Sequence, residues 1–319
     1  MGDNPVPDTK KRLHPRSFHR NLYDFEVLVQ AHPKLKGYLA KNKFGNRSID
    51  FGQPEAVIAL NTALLRNFYG VKYWELPQGY LCPSIPGRAD YIHYLADLLS
   101  GGNADEIPRG KAVLGLDIGI GSSCIYPIVG HSVYGWRFVG SEIDPTAIEN
   151  LNRFLGENPA LKESIEIRHP KRPEQIFLDV IRSNDRFDFS MCNPPFYGSA
   201  KEVMKANQRK NRNLRRVSEK RGTLKSQSVN SKKNFGGQDA ELWCPGGEVA
   251  FVKRMIEQSV QFSNSCTWFT TLVSRKEHLP EIHTALKRVN PADTRTIDMN
   301  QGQKLSRIVA WTFQKNNGV

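Results

Sequence analysis

Paired cysteines and long apolar runs are both missing from this sequence of 319 residues. No apolar run approaches the roughly 20 residues that a membrane helix needs, so we expect no membrane span. The first twenty residues are polar and basic and lack the apolar core of a secretory signal. The five cysteines are widely spaced and odd in number, which argues against a disulfide framework and against a zinc site. These absences predict a soluble, cytoplasmic protein without a bound metal.

Apolar residues are nevertheless plentiful enough for a sizeable core. Hydrophobic residues make up 39% of the chain and aromatic residues 10%. This composition excludes wholesale disorder, and the length fits one large domain or two ordinary ones. The oligomeric state does not follow from these numbers, and a monomer is the simplest expectation.

Positive charge is concentrated in two polar segments. Of the net charge of +13, residues 198–235 contribute +10 and residues 1–20 contribute +3, so the remaining chain is neutral. One charged run is usually a solvated surface loop, but two runs in a neutral chain favour contact with a phosphate backbone. An acidic membrane fits less well because neither run has a bulky apolar face. The pattern predicts a nucleic-acid partner and a flexible basic loop at about 198–240.

Two regions with different hydrophobic patterns follow one another along the chain. From residue 12 to about 88, apolar residues recur mainly at helical spacing, and the prolines and glycine at 83–87 indicate a linker. From residue 111, short apolar strands alternate with helices, which is typical of parallel βαβ units. We therefore predict an α/β protein with a basic tail and helical extension over 1–87 and a Rossmann-like domain over 88–319.

The elements of the second region can be placed from the apolar pattern. The predicted strands cover 113–118, 138–142, 165–168, 187–191, 267–273, 295–299 and 307–313. One helix is expected to start after Asp144, which is a suitable cap before Pro145, and to stop at Gly156. Two further helices are predicted over 248–261 and 279–288.

A glycine-rich turn follows the first predicted strand. The segment reads Asp117-Ile118-Gly119-Ile120-Gly121-Ser122-Ser123. Glycines at these positions permit a tight strand-to-helix turn and a close approach of a ligand to the backbone. Glu142, at the end of the next strand, can accept hydrogen bonds from both ribose hydroxyls of an adenosine-type cofactor. The pair predicts a nucleoside cofactor, but it does not separate NAD from S-adenosylmethionine.

A second motif, Asn193-Pro194-Pro195-Phe196, separates these two cofactors. It ends a later strand, and ligands of open α/β sheets bind beyond the carboxyl ends of strands. An amine conjugated to a purine ring is a poor nucleophile because its lone pair is delocalised. The side-chain oxygen of Asn193 and the carbonyl of Pro194 can accept from such an NH₂ group and favour a pyramidal nitrogen. Phe196 offers a face on which a base can stack. The motif predicts methyl transfer to nitrogen from S-adenosylmethionine.

The identity of the methyl acceptor stays open at this point. A glutamine side-chain amide presents the same delocalised nitrogen as adenine, so a protein glutamine N5-methyltransferase is one alternative. A non-catalytic RNA-binding or ribosome-assembly protein with a relict cofactor site is another. The basic loop favours RNA over protein, and the intact Gly119, Glu142 and Asn193 favour an enzyme. A nicotinamide dehydrogenase would have no use for the Asn-Pro-Pro-Phe loop.

Six segments of the chain carry a resemblance to a known family. They are 50–57, 88–93, 116–127, 191–196, 246–248 and 310–313. In these segments the sequence resembles the bacterial ribosomal RNA large subunit methyltransferase F family, and the resemblance extends over about 14–313. It implies a class I S-adenosylmethionine-dependent fold with a mostly parallel seven-stranded sheet. It also implies N6-methylation of one adenine of 23S rRNA, adenine 1618 in that family, with 23S rRNA or a large-subunit assembly intermediate as the partner.

The resemblance also implies a set of cofactor-binding residues. They are Arg88, Asp117, Gly119, Gly121, Ser123, Glu142, Gln175 and Asn193. The glycine turn would surround the methionine part of S-adenosylmethionine, and Arg88 would pair with its carboxylate. Glu142 would hold the ribose, and Gln175 would lie near the adenine. Asn193, Pro194, Pro195 and Phe196 would form the catalytic loop.

Overall fold

The computed structural model describes residues 13–42, 45–172, 174–204, 242–301 and 304–315. Most of the basic tail and of the predicted basic loop lies outside these residues. The described helices are α1 (Phe25–Ala31), α2 (Pro54–Tyr69), α3 (Ile85–Leu99), α4 (Ile125–Tyr134), α5 (Pro145–Glu157), α6 (Pro159–Lys162), α7 (Gly247–Ser259) and α8 (Leu279–Val289). The strands are β1 (Leu39–Lys41), β2 (Arg47–Ile49), β3 (Leu114–Ile118), β4 (Arg137–Ser141), β5 (Ile165–Arg168), β6 (Phe187–Cys192), β7 (Cys266–Val273), β8 (Asp293–Gln301) and β9 (Lys304–Thr312).

Seven of these strands form one sheet in the order β5-β4-β3-β6-β7-β9-β8. The strands from β3 to β7 pair in parallel, and β9 pairs antiparallel with both β7 and β8. This arrangement confirms the mostly parallel seven-stranded sheet that was predicted. Because the chain enters at β3 and then moves outward in both directions, the loops after β3, β4 and β6 meet at one edge.

The predicted strand and helix positions of the second region agree with the structure to within a few residues. Asp144 caps α5 as expected, with its side chain accepting from the Thr146 N–H at 2.9 Å. The helix continues one residue past Gly156, which therefore does not end it. No close neighbour surrounds that glycine.

The N-terminal region is less purely helical than its pattern predicted. Pro33 follows α1 and ends it, because proline lacks an N–H and restricts the residue before it. A 3₁₀ helix over Pro33–Tyr38 comes next, and then β1 and β2 pair as an antiparallel hairpin. Gly45, with φ of +80°, lies in the turn of this hairpin. Apolar spacing alone could not distinguish these short elements from a helix.

The segment 83–87, predicted as a linker, instead starts α3. Pro86 and Gly87 lie in its first turn, where the missing N–H of proline is harmless because no carbonyl is available to it. The predicted boundary between 87 and 88 therefore falls inside a helix. The division of the chain into two units stays a prediction.

Two hydrophobic clusters cover the faces of the main sheet. One contains side chains of α2, α3 and α4 together with sheet residues such as Phe138 and Phe189. The other packs α7 and α8 against residues such as Phe269 and Trp311. The N-terminal helices thus share one core with the sheet. This shared core brings residues that precede α3 close to the loops after the strands.

Close packing between β3 and its neighbours depends on Gly115. A Cβ atom added to this glycine would lie 2.5 Å from the ring of Phe189 and 2.8 Å from the ring of Phe138. Both rings are buried in the same cluster. Any side chain at position 115 would therefore displace an aromatic ring from the core.

We predict that Gly115→Ala lowers the free energy of unfolding by about 1–3 kcal/mol, because overpacking a filled core forces side chains off their rotamers. Gly156→Ala is the control, since it adds the same methyl group in α5 with no atom within 4 Å. It should raise stability by up to about 1 kcal/mol through helix propensity. Urea denaturation of both variants measures this difference, and an equal effect of the two would contradict the packing argument.

Candidate functional site

A cavity of about 190 Å³ lies at the carboxyl edge of β3, β4 and β6. Nine of the eleven predicted site residues line it: Arg88, Gly119, Gly121, Ser123, Glu142, Gln175, Asn193, Pro195 and Phe196. These residues come from five separate stretches of the chain. The parallel order of the three strands brings together most of these stretches, because successive loops leave the sheet at the same edge.

The glycine turn after β3 has a backbone that requires glycine at two positions. Gly119 and Gly121 have φ of +71° and +64°, and no atom fills the space where a Cβ of Gly119 would lie. Cys124 also has a positive φ, of +55°, and its buried side chain precedes α4. The turn therefore brings backbone to the cavity with no side chain at Gly119 or Gly121, which permits a ligand to approach closely.

Glu142 holds this turn to the end of β4. One carboxylate oxygen accepts from the Gly121 N–H at 2.9 Å. The other accepts from the N–H groups of Ile143 and Asp144 at 2.7 and 3.0 Å. Burial raises the pKa of the Glu142 carboxyl, although the three N–H donors act in the opposite direction. The residue therefore shapes the turn, in addition to any contact that its remaining acceptor sites make with a ligand.

Two residues outside the predicted site brace the same turn. The buried Asn150 of α5 donates from its amide nitrogen to the carbonyls of Ser122 and Glu75, at 3.0 and 3.1 Å. The buried Trp74 donates from its indole N–H to the carbonyl of Ser123 at 2.9 Å. Trp74 and Glu75 precede α3, so part of the N-terminal region directly supports the glycine turn.

Asp117 and Pro194 are the predicted site residues that do not line the cavity. Pro194 is buried within its loop. Asp117 is fully buried, and neither of its carboxylate oxygens has a hydrogen-bond partner among the described residues. Burial, together with the nearby Glu142, raises the pKa of Asp117 to about 8. At neutral pH the Asp117 carboxyl is therefore mostly protonated and neutral. It adds no negative charge beside the Glu142 carboxylate.

Arg88 lies in the first turn of α3, with its side chain half-buried at the cavity. Its guanidinium donates to the Ser84 carbonyl at 3.4 Å. Within the described part of the chain it forms no ion pair, so its charge is available for an anionic group of a ligand. The cluster of an arginine, a glycine turn and an acid is suited to an amino acid joined to a nucleoside.

The Asn-Pro-Pro-Phe loop is fixed by the residues that follow it. The Tyr197 N–H donates to the Leu242 carbonyl at 3.1 Å, and the Cys244 N–H donates to the Tyr197 carbonyl at 3.0 Å. Leu242 and Phe251 also line the cavity, close to the loop. The side chain of Asn193 has no hydrogen bond among the described residues. Its amide can therefore accept from a ligand.

Gln175 lies between β5 and β6 and reaches the same cavity. Its side-chain oxygen is buried and has no hydrogen-bond partner in the described ranges. The amide of Gln258 on α7 contacts the backbone on both sides of it. A buried amide oxygen without a partner is suited to accept from a ligand amine.

Sequence patterns gave no indication of several residues around the cavity. Tyr80, Leu81 and Pro83 line it from the segment before α3. The Tyr80 hydroxyl donates to the Asp144 carboxylate, which closes this segment over the end of β4. This contact joins residues 64 positions apart, so no local sequence pattern predicts it.

The described ranges contain neither a cluster of metal ligands nor a membrane-spanning helix. No group of three or more His, Cys, Asp or Glu side chains is arranged to hold a metal ion. No described helix has both the length and the apolar character needed to cross a membrane.

Comparison with known proteins identifies close relatives over almost the whole chain. A family profile described as RNA methyltransferase matches residues 8–315. The chain is 51% identical over 317 residues to Ribosomal RNA large subunit methyltransferase F of Photobacterium profundum, with 97% of this chain and 94% of the relative covered. It is 50% identical over 307 residues to the protein of the same name from Flavobacterium johnsoniae, with 96% and 95% covered.

Solved structures with the same fold come from a human protein. The crystal structure of the hMettl16 catalytic domain in complex with MAT2A 3'UTR hairpin 1 matches with a TM-score of 0.78 and 28% identity, covering 97% of this chain and 98% of that one. The N-terminal domain of human METTL16 in complex with SAH matches with a TM-score of 0.72 and 26% identity, covering 95% and 99%. The sheet, the helices and their order are therefore shared with these two structures.

The raised pKa of Asp117 predicts a specific dependence of stability on pH. The carboxyl titrates near 3.8 when unfolded and at about 8 when folded, so the folded chain holds an extra proton between these values. Its stability therefore falls as pH rises across this window. In Asp117→Asn this titration is absent, so the stability of the variant relative to the unsubstituted protein should increase steadily from pH 5 to pH 8, as measured by urea unfolding without ligand.

The control for this prediction is Asp105→Asn, which makes the same change at an exposed position. Its stability relative to the unsubstituted protein should be nearly constant over the same pH range. A constant difference for Asp117→Asn as well would mean that the Asp117 carboxyl is ionised in the folded protein.

Proposed function

The chain belongs to the ribosomal RNA large subunit methyltransferase F family, and we propose that it transfers a methyl group from S-adenosylmethionine to the N6 amine of one adenine in 23S rRNA. The observation that carries this proposal is the position of the Asn-Pro-Pro-Phe loop. Asn193, Pro195 and Phe196 line the same cavity as the glycine turn and Glu142. The proposed cofactor site and the proposed acceptor for an aromatic amine therefore share one cavity.

Different residues of the cavity lining are proposed to contact different parts of the cofactor. Arg88 pairs with the carboxylate of its amino-acid part, and the turn of Gly119, Gly121 and Ser123 surrounds that part. Glu142 accepts from a ribose hydroxyl through the acceptor site that the three backbone N–H groups leave available. When bound, S-adenosylmethionine supplies an electrophilic methyl group on a sulfonium centre.

The loop of Asn193 provides the groups that act on the acceptor nitrogen. The side-chain oxygen of Asn193 and the carbonyl of Pro194 accept hydrogen bonds from the two N–H groups of the adenine amine. These bonds favour a pyramidal nitrogen, whose lone pair is then free to attack. Phe196 stacks on the unstacked base, and the two prolines limit the motion of the loop. The nitrogen becomes acidic once alkylated, so its proton passes to water and no strong base is needed.

We propose that RNA contact falls mainly on the two basic segments, 1–20 and about 198–240, most of which lies outside the described residues. We propose that these segments bind the phosphate backbone of 23S rRNA, either as naked RNA or within a large-subunit assembly intermediate. The salt dependence of binding distinguishes backbone contact from base contact, since neutralised phosphates release counterions.

The activity is tested with labelled S-adenosylmethionine and rRNA from a strain that lacks this gene. N6-methyladenosine in the 23S fraction alone is the expected product. Label in ribosomal or other proteins would instead support methylation of glutamine amides. Absence of transfer to both naked rRNA and precursor particles, although the cofactor binds, would contradict the proposed activity.

We predict that Asn193→Ala reduces methyl transfer by about 100- to 1000-fold, because the variant loses an acceptor placed for the reacting nitrogen. Affinity for RNA should remain nearly unchanged, as measured by filter binding. Asn264→Ala, which alters an exposed asparagine away from the cavity, is the control and should retain full activity. If Asn193→Ala lost RNA affinity and activity in equal measure, the role given to Asn193 would be wrong.

The basic segment should determine the salt dependence of RNA binding. Replacing Arg209 and Lys210 by glutamine should weaken binding and lower the slope of log K against log salt by roughly 1–2, because two phosphate contacts are lost. The matched control replaces Lys287 and Arg288, two exposed cations at the end of α8, with the same residues. An equal response of both pairs would indicate that overall charge, and not the segment, sets the affinity.

A further inference from the structure

We propose that Gln258 is a positioning residue for the purine of the cofactor, and that it acts through Gln175. This inference rests on the proposed function, since it takes S-adenosylmethionine as the ligand of the cavity. Gln258 lies near the end of α7, whereas Gln175 lies in the irregular segment between β5 and β6. The two residues are 83 positions apart, and neither belongs to the glycine turn or to the Asn-Pro-Pro-Phe loop.

Both polar atoms of the Gln258 amide are used by the backbone around Gln175. The amide oxygen accepts from the N–H of Ile176 at 2.8 Å. The amide nitrogen donates to the carbonyl of Glu174 at 2.9 Å. The side-chain amide thus hydrogen-bonds to the backbone of the residues before and after Gln175, as an adjacent strand would do. A third hydrogen bond, from the Gln175 N–H to the Arg172 carbonyl at 3.0 Å, completes the hold on this segment.

Hydrophobic packing also fixes the segment around Gln175. The side chains of Ile176 and Phe177 are buried in the cluster that packs α7 against the sheet. Its neighbour is buried and its flanking backbone is paired to Gln258, and Gln175 itself lines the cavity. Its buried oxygen has no protein partner in the described ranges. This arrangement holds an acceptor in place before the ligand arrives, which lowers the entropy lost on binding.

The unpaired oxygen fits the exocyclic amine of adenine. An N–H of this amine can donate to the Gln175 oxygen, and a buried acceptor left without such a donor weakens binding. A purine without the 6-amino group therefore should bind less well. The preference between the two bases reports on Gln175 directly, whereas the overall affinity also depends on the contacts of Arg88 and Glu142.

The test measures binding of two ligands by calorimetry: S-adenosylhomocysteine and its analogue with unsubstituted purine in place of adenine. The unsubstituted protein should prefer the adenine ligand about tenfold, as expected for one hydrogen bond worth roughly 1.4 kcal/mol. In Gln258→Leu the backbone around Gln175 loses both hydrogen bonds, so the preference should fall to about two- or threefold. Glu257→Ala, at the exposed neighbouring position of α7, should keep the full preference.

A double-mutant cycle identifies the route of the effect. Gln175→Leu should reduce the preference to about one, and adding Gln258→Leu should change it no further, because both act on the same hydrogen bond. Gln258→Glu keeps the acceptor for the Ile176 N–H but places an oxygen against the Glu174 carbonyl. It should give an intermediate preference, and it serves if the leucine variant does not fold.

Two results would overturn the inference. One is an equal loss of affinity for both ligands in Gln258→Leu with the tenfold preference retained, which would make Gln258 a structural residue only. The other is an unsubstituted protein that binds both ligands equally, which would show that Gln175 does not contact the amine. A protein that binds neither ligand would contradict the proposed function itself and is thus distinguished from both.

Discussion

The hydrogen bond from the Gly121 N–H to the Glu142 carboxylate is the constraint on which the site depends. It joins the turn after β3 to the end of β4, two neighbouring parallel strands. Glycine adopts the positive φ angles at Gly119 and Gly121 without strain, so contacts from outside the turn are needed to select this one conformation. Glu142 supplies that support, and its position at the strand end leaves it within the cavity. Glu142 thus shapes the turn and also lines the cavity beside it.

The N-terminal region completes the same site. The indole N–H of Trp74 donates directly to the glycine turn, at the Ser123 carbonyl. The Asn150 amide connects the Glu75 carbonyl to the same turn, at the Ser122 carbonyl. Asn158, just beyond the end of α5, adds bonds to the backbone of residues 72 and 73. Residues before α3 therefore support the glycine turn directly. They connect this turn to the part of the chain that follows the basic tail.

Gln175 brings a buried oxygen without a partner among the described residues to the lining of the cavity. Such a group reduces stability in the free protein, and a ligand that donates a hydrogen bond to it recovers that loss. Asp117 also has unpaired buried oxygens, but it lies outside the cavity lining, and burial raises its pKa to about 8. The same reasoning connects Gln258 to function. It satisfies the backbone beside Gln175 and leaves the side chain of Gln175 itself for the cavity.

The sequence by itself determined the parts of this protein that depend on local chemistry. Strand periodicity placed β3 to β9 closely, and the positions of Gly119, Gly121, Glu142 and Asn193 followed from turns and strand ends. The motifs were also sufficient to identify the family. The hairpin of β1 and β2 was missed because its short strands have too few residues to establish a period. The true start of α3 was missed because Pro86 and Gly87 in its first turn are residues typical of a linker. Only the tertiary structure could identify the roles of Trp74, Asn150 and Gln258. Their hydrogen-bond partners are backbone atoms of distant residues, and every residue type has the same backbone carbonyl, so the sequence does not indicate which carbonyl is the partner.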